Sequence, residues 1–125
     1  LYKDFNPDHV LVEPTGVAVP NQVKLAARMS GRDAKIQLGP AIILFDATRP
    51  AELLDMDMLG QLVTTQVKDA DVVAISKVDA IDAGEIEGIK KRIRELNSNA
   101  EIFPLSSVNG TGVDRVIEVI NTWKE

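Results

Sequence analysis

The chain has 125 residues, of which 45% are hydrophobic and 26% charged, which is the composition of one globular domain and excludes intrinsic disorder. Its net charge of −5, with no long run of Lys and Arg, argues against a nucleic-acid partner. It has no cysteine and one histidine, which excludes disulfides, thiolate metal sites and multi-histidine metal sites.

The sequence also bears on where the protein works. It contains no apolar run of the length of a membrane span and no visible signal peptide. We therefore predict a cytoplasmic protein with no membrane partner. Because the chain begins with Leu1 and not with Met, we expect it to be an excised piece or a processed chain.

The first half of the chain predicts two strands and two helices. Residues 9–13 and 41–46 are nearly continuous apolar runs, which is typical of strands in a parallel sheet that is covered on both faces. Between them, residues 20–29 predict a helix that Gly31 closes. Residues 53–68 are partly periodic and predict a second helix.

The second half repeats the alternation. Residues 71–76 predict a strand, and Asp82 with Glu85 forms a capping-box pattern at the start of the next helix. Residues 101–106 predict the fourth strand, and Pro104 within it suits an edge strand or a strand end. The final helix is predicted by an apolar stripe formed by Val113, Val116, Ile117 and Ile120.

This order of elements, β-α-β-α-β-α-β-α, predicts a single α/β domain over residues 1–125. Right-handed crossovers place helices on both faces of a doubly wound, mostly parallel sheet. Ligands of such sheets bind beyond the carboxyl ends of the strands. The residues that end each strand are therefore the candidates for function.

The loop after the third predicted strand, Ser76-Lys77-Val78-Asp79, has the chemistry of a guanine site. The carboxylate of Asp79 can accept hydrogen bonds from N1–H and the exocyclic amine of guanine, whereas adenine offers no matching pair of donors. The stem of Lys77 can lie along the base while its ammonium stays in water. The alternative is a solvated loop in which Asp79 or Asp82 caps the next helix.

Two serines follow the fourth predicted strand. The backbone N–H of Ser107 can donate to guanine O6, and the hydroxyl of Ser106 can hold the carboxylate of Asp79. An ordinary loop leading into the last helix is the alternative.

The first predicted strand ends in Glu13-Pro14-Thr15-Gly16. Gly16 permits close approach of the backbone to a phosphate. The carboxylate of Glu13 can hold a Mg²⁺ ion, directly or through water, or can orient an attacking water. A simple turn set by Pro14 and Gly16 is the alternative.

In their order and spacing these motifs resemble the CobW/HypB/UreG GTPases, from about residue 8 to the end of the chain. The phrases most similar to the CobW branch are residues 12–20, residues 44–47, and Gln66 ahead of residues 70–79.

The resemblance implies binding and slow hydrolysis of GTP with Mg²⁺. It also implies a metallochaperone-like role in delivering a metal or a cobalamin (corrinoid) cofactor to a client protein, often through nucleotide-dependent homodimers. Carried over by position, Ser76, Lys77, Asp79, Ser106 and Ser107 belong to the base-binding side. Glu13 and Gly16 would form the catalytic side, facing the γ-phosphate and Mg²⁺.

The sequence departs from the family pattern in three ways. No segment matches the Gly-x-x-x-x-Gly-Lys-[Ser/Thr] loop that cradles phosphates, so the resemblance implies the C-terminal portion of a GTPase domain that does not hydrolyse GTP alone. Ser76 stands where many GTPases have Asn. The cysteine-rich metal motif of CobW relatives is also missing.

Two other functions fit the same alternation of elements. One is a non-catalytic, doubly wound binding module that only contacts a partner. The other is a receiver-like or flavodoxin-like domain in which Asp46 accepts a phosphoryl group. Against the receiver, Asp4 and Asp8 precede the first predicted strand, whereas a receiver places its paired acids after it.

Overall fold

A parallel sheet forms the centre of the molecule. The computed structural model describes residues 2–31, 35–49 and 57–125. Within these residues, parallel strands lie side by side in the order β1-β2-β3. Their bounds are Ile42–Asp46 for β1, Val72–Ser76 for β2 and Glu101–Pro104 for β3. Pro104 is the last residue of an edge strand, as predicted.

Helices precede, separate and follow the strands. They are α1 (Tyr2–Phe5), α2 (Pro20–Ser30), α3 (Asp57–Asp69), a 3-10 helix (Val78–Ala80), α4 (Ala83–Leu96) and α5 (Val113–Thr122). Pro20 occupies the first turn of α2, where its missing N–H leaves no hydrogen bond unmade. The start of the helix predicted over residues 53–68 lies outside the described residues. Among the described residues, none of the helices has both the length and the apolar character of a membrane span.

The predicted capping box at the start of α4 is present. The side chain of Glu85 accepts the backbone N–H of Asp82 at 3.1 Å. This pairing satisfies a donor that the first turn of a helix would otherwise leave without a partner. It fixes the point at which the chain leaves the 3-10 helix, which contains Asp79, and enters α4.

Helices pack on both faces of the sheet, which confirms the predicted fold class. On one face, Val73 and Ile75 of β2 pack in a cluster with Val67 of α3 and with Ile89 and Ile93 of α4. On the other face, Val72, Ala74, Phe103 and Val119 of α5 form a second cluster. Alternate residues of β2 therefore pack into opposite layers. Each of the four residues in these clusters, 72–75, is at most 1% exposed.

The strand predicted over residues 9–13 is wrong, because the structure has an irregular segment there. Val10, Leu11 and Val12 are 66–81% exposed. An apolar run becomes a strand only when a neighbouring strand pairs with its backbone groups. No strand among the described residues pairs with residues 9–13 or with the outer edge of β1.

One face of β1 is also uncovered at Leu44. Leu44 pairs in register with Ala74, so the two side chains share the face on which α5 packs. Ala74 is fully buried, whereas Leu44 is 63% exposed. Ile42, at the start of β1, still packs against the cluster under α5, so β1 is open on this side at Leu44.

A buried amide joins α4 to α3. Asn97, which follows α4, is 9% exposed. Its amide nitrogen donates to carbonyl oxygens at the end of α3, those of Val67, Lys68 and Ala70, at 2.8–3.2 Å. Its amide oxygen accepts two N–H groups that lead into β3, at 3.0–3.1 Å. Asn97 therefore fixes the amino end of the sheet, opposite the carboxyl ends of the strands, where the candidate site lies.

Candidate functional site

The carboxyl ends of the strands bring the predicted base-side loops together. Asp46 and Ser76 lie opposite each other as the last residues of β1 and β2. Past the strands, Leu105 donates its N–H to the carbonyl of Ile75 at 2.8 Å and accepts the N–H of Val78 at 3.3 Å. The 3-10 helix and the loop after β3 therefore run side by side, as the parallel topology requires.

Asp79 and Ser106 are joined directly across these two loops. Ser106 is fully buried, and its hydroxyl donates to Oδ1 of Asp79 at 2.6 Å. A hydrogen bond to a carboxylate is short and about twice as strong as one between neutral groups. Oδ2 of the exposed Asp79 accepts no hydrogen bond from the described residues. The carboxylate is thus held at one oxygen and open at the other.

The loop after β3 is closed on the same serine. The hydroxyl oxygen of Ser106 accepts the N–H groups of Val108 and Asn109 at 3.2 and 3.3 Å. The N–H of Ser107 points to no acceptor among residues that the structure describes. Among these residues Ser107 therefore keeps a free backbone donor at the position that follows Ser106, which holds Asp79.

Gly112 keeps this loop against the end of β3. Its φ is +77°, and a Cβ at this position would lie 2.0 Å from the carbonyl oxygen of Pro104. A larger residue would therefore clash with backbone and would also adopt a left-handed conformation that L side chains disfavour. The position of Ser106 depends on this close approach.

Lys77 has a left-handed backbone. Its φ and ψ are 61° and 31°, a conformation that costs a non-glycine residue roughly 1–2 kcal/mol. Its side chain is 61% exposed, and its ammonium lies 2.8 Å from Oδ2 of Asp46. Residues with backbone strain of this kind are common at binding sites, because the strained conformation directs the side chain toward the site.

The sequence analysis named Asp46 only for the receiver-like alternative, whereas the structure brings it to Lys77. The hydrogen bond from Lys77, followed by the bonds from Thr48, holds the pKa of Asp46 at about 2. Thr48 donates its N–H and its hydroxyl to Oδ1 at 2.9 and 2.6 Å. The sequence placed Asp46 at a strand end but offered no sign that Lys77 would cross to it.

Ser76 contacts the sheet. Its hydroxyl donates to the carbonyl oxygen of Phe45 at 3.1 Å, and its own carbonyl accepts the N–H of Ala47 at 3.0 Å. Both bonds join the end of β2 to the end of β1. In this structure Ser76 braces the strands, and a direct contact with a ligand stays a prediction.

The Glu13–Gly16 loop is held from another side. Gln66 of α3 donates its side-chain N–H groups to the carbonyl oxygens of Gly16 and Ala18 at 2.9 and 2.8 Å. Glu13 is exposed, and no contact described in the structure joins it to residues 76–79 or 106–107. The catalytic role of Glu13 and Gly16 therefore stays a prediction.

The donor set for a metal ion is sparse. The described ranges contain no group of three or more His, Cys, Asp or Glu side chains that could hold a metal. Mg²⁺ is commonly held by one or two carboxylates together with waters and substrate phosphates. Glu13 fits such a partial role, in which most ligands come from the nucleotide and from water.

The chain matches a known family of nucleotide-binding domains. The family model described as "CobW/HypB/UreG, nucleotide-binding domain" matches residues 1–104. This chain belongs to that family. The match includes the positions of Glu13, Gly16 and Ser76–Asp79 and ends before Ser106, so the place of Ser106 in the site rests on its contact with Asp79.

The chain is also similar to proteins described as GTP-binding proteins and GTPases. It is 23% identical over 128 residues to the probable GTP-binding protein EngB of Shewanella frigidimarina, covering 95% of this chain and 57% of that protein. It is 30% identical over 81 residues to GTPase Obg of Crocosphaera subtropica, covering 62% of this chain and 23% of that protein. The chain spans about half the length of the EngB proteins that it matches.

Family membership decides between two of the sequence-based hypotheses. It confirms the resemblance to CobW/HypB/UreG nucleotide-binding domains. It leaves the receiver-like alternative without support, and Asp46 is engaged by Lys77 and Thr48 through both carboxylate oxygens.

Proposed function

We propose that this chain is the guanine-recognising, C-terminal portion of a GTPase domain, and that its ligands are GTP and GDP. The hydrogen bond from buried Ser106 to Asp79 carries the proposal. Within the described part of the chain it leaves one oxygen of Asp79 open, and Ser107, which follows Ser106, keeps a free N–H. Both groups lie past the carboxyl ends of the strands, where α/β domains bind ligands. The family and the GTPase relatives support the same ligand.

The edge of guanine is complementary to these groups. Its N1–H and exocyclic amine donate to the two oxygens of Asp79, since Oδ1 keeps a second lone pair besides the one that Ser106 uses. Its O6 accepts from Ser107. Adenine presents an acceptor at N1 and a donor at its 6-position, so it would leave the carboxylate without donors. Two charge-assisted hydrogen bonds at about 1.5 kcal/mol each, the low value suited to an exposed carboxylate, give roughly 100-fold preference for GDP over ADP.

The phosphates require parts that this sequence lacks. Glu13 and Gly16 are proposed to face the γ-phosphate and Mg²⁺, with Gly16 offering close backbone approach and Glu13 a carboxylate. Without a phosphate-cradling loop, the 125 residues are expected to bind the base and not to hydrolyse GTP. A longer protein that contains this chain would supply that loop and the hydrolase activity.

The cellular role follows from the family resemblance alone. We propose that the whole protein uses GTP to assist delivery of a metal or a cobalamin cofactor to a client protein in the cytoplasm, with a homodimer as one nucleotide-dependent state. The described residues show no soft-metal site, so metal binding would be a property of other parts of the protein.

Calorimetry with nucleoside diphosphates tests the proposal. GDP, IDP and ADP are titrated into the longer protein and into the 125-residue chain. We expect GDP to bind about 100-fold more tightly than ADP, and IDP, which lacks the exocyclic amine, about tenfold more weakly than GDP. Equal affinities for GDP and ADP would contradict guanine recognition. Absence of all binding to both proteins would favour a non-catalytic binding module.

A further inference from the structure

The carboxylate of Asp46 is fixed by its own loop. Thr48 donates two hydrogen bonds to Oδ1, from its N–H at 2.9 Å and from its hydroxyl at 2.6 Å. The Asp46 side chain is only 22% exposed, and Arg49 lies 3.8 Å from Oδ2. Asp46 therefore presents Oδ2 in a defined direction without any help from Lys77.

Lys77 crosses from the next strand to that oxygen. It leaves β2 one residue after the position opposite Asp46, and its left-handed backbone turns the chain into the 3-10 helix. Its ammonium lies 2.8 Å from Oδ2 of Asp46. A free lysine side chain samples many rotamers, and a fixed acceptor at its end selects those that run from β2 to β1.

The anchored lysine lies two residues before Asp79. Asp79 is held from the β3 side by Ser106, while Lys77 is held from the β1 side by Asp46. Ser106 thus fixes the carboxylate of Asp79, which can meet the edge of a base. Asp46 fixes the stem of Lys77, which can cover the face of the base. The two restraints come from different strands and act on different parts of the ligand.

We propose that Asp46 is a positioning residue for nucleotide binding, which holds the stem of Lys77 across the carboxyl ends of β1 and β2 as a wall against the face of the base. This inference rests on the proposed function, because it takes a guanine nucleotide as the ligand. Asp46 acts through Lys77 and does not touch the nucleotide. It sets affinity for the base, and Asp79 sets which base is preferred.

The substitution Asp46→Asn separates these two roles. Asn keeps the shape of the side chain and an oxygen for Thr48 but removes the charge that holds the ammonium. We expect affinity for GDP and for IDP to fall by the same factor, about 3- to 10-fold, the size of one partly solvated hydrogen bond. The ratio of the two affinities stays unchanged, because the contacts at the base edge are intact.

A double-mutant cycle shows whether Asp46 acts through Lys77. Lys77→Met keeps much of the stem and removes the ammonium, so Asp46→Asn should cost no further affinity for GDP in that background. Asp69→Asn is the matched control, since Asp69 ends α3 near the amino end of β2. It is expected to leave GDP affinity unchanged.

A measurement without nucleotide keeps this inference separate from the proposed function. In NMR spectra of the 125-residue chain, the Nζ and Cε resonances of Lys77 should shift in Asp46→Asn and stay in place in Asp69→Asn. If Asp46→Asn weakens GDP and IDP equally only in the presence of Lys77, the inference stands. It is overturned if the losses in the cycle add, if the GDP-to-IDP ratio changes, or if the Lys77 resonances do not move. Absence of all nucleotide binding would overturn the proposed function instead.

Discussion

The contact between Asp79 and Ser106 makes a prediction that requires no nucleotide. We expect the two side chains to be coupled in the free energy of unfolding. The perturbations are Ser106→Ala, Asp79→Ala and the double variant. Ser106→Ala removes the donor to Asp79 and also the oxygen that accepts the N–H groups of Val108 and Asn109.

The magnitude follows from burial. Ser106 is 0% exposed, so its lost hydrogen bonds are not replaced by water, and Ser106→Ala should lower the free energy of unfolding by about 1–3 kcal/mol. Asp79 is exposed, so solvent screens its side of the bond. The coupling energy should therefore be about 1 kcal/mol, which is below the value for a buried charged pair.

Urea unfolding at neutral pH, monitored by circular dichroism, measures all four free energies. The matched control is the cycle of Asp79→Ala with Ser76→Ala, because the hydroxyl of Ser76 donates to the carbonyl of Phe45 and not to Asp79. That control cycle should be additive within about 0.5 kcal/mol. A coupling between Asp79 and Ser106 no larger than in the control would refute the reasoning.

Three further predictions test other parts of the structure. Asn97→Ala should lower the free energy of unfolding by about 2–4 kcal/mol, because it leaves buried carbonyl and N–H groups without partners; a loss under about 0.5 kcal/mol in urea titrations, the size of a neutral surface change, would contradict this. Because the folded pKa of Asp46 is lowered from 3.8 to about 2, its stabilisation is complete above about pH 5 and is lost as the pH falls toward 2. The difference in urea midpoint between wild type and Asp46→Asn should therefore shrink between pH 6 and pH 2.5, and a constant difference would be inconsistent with the lowered pKa. Gln66→Leu should speed hydrogen exchange at the Ala18 amide roughly tenfold, through loss of two hydrogen bonds to the loop; equal exchange in Gln66→Leu and in the control Gln61→Leu would exclude this role for Gln66.

The sequence predicted the base-side residues because their positions follow from local pattern and parallel topology. Buried apolar runs end at Ser76 and near Ser106, and the carboxyl ends of parallel strands meet at one edge. The contact between Ser106 and Asp79 follows from that arrangement, and the structure contains it.

The contacts of Asp46 and Gln66 could not be predicted from the sequence. The bond from Lys77 to Asp46 depends on the register of β1 against β2 and on the left-handed backbone of Lys77. The periodicity of the residues predicts neither of these features. Gln66 reaches a loop about fifty positions earlier in the chain, and a polar residue on a helix gives no sign of such a partner.

The strand predicted over residues 9–13 failed for a related reason. Apolar character measures how much a segment gains from burial, whereas a strand also requires a neighbour for its backbone groups. Among the described residues, 10–12 pair with no strand, and the outer edge of β1 is left unpaired as well. Leu44 is exposed although it is apolar, because the cluster under α5 includes Ile42 of the same strand but not Leu44.

The preference of Asp79 for one base is the claim on which the account depends most, and a change of base tests it directly. Affinities for GDP and XDP are measured for the wild-type protein and for Asp79→Asn. Xanthine carries an oxygen where guanine has its exocyclic amine, and the amide of Asn can donate to that oxygen. We predict that the wild type favours GDP and that Asp79→Asn favours XDP, with the ratio of affinities shifting by about 100-fold. An unchanged ratio in Asp79→Asn, with GDP still bound, would show that this carboxylate does not face the base.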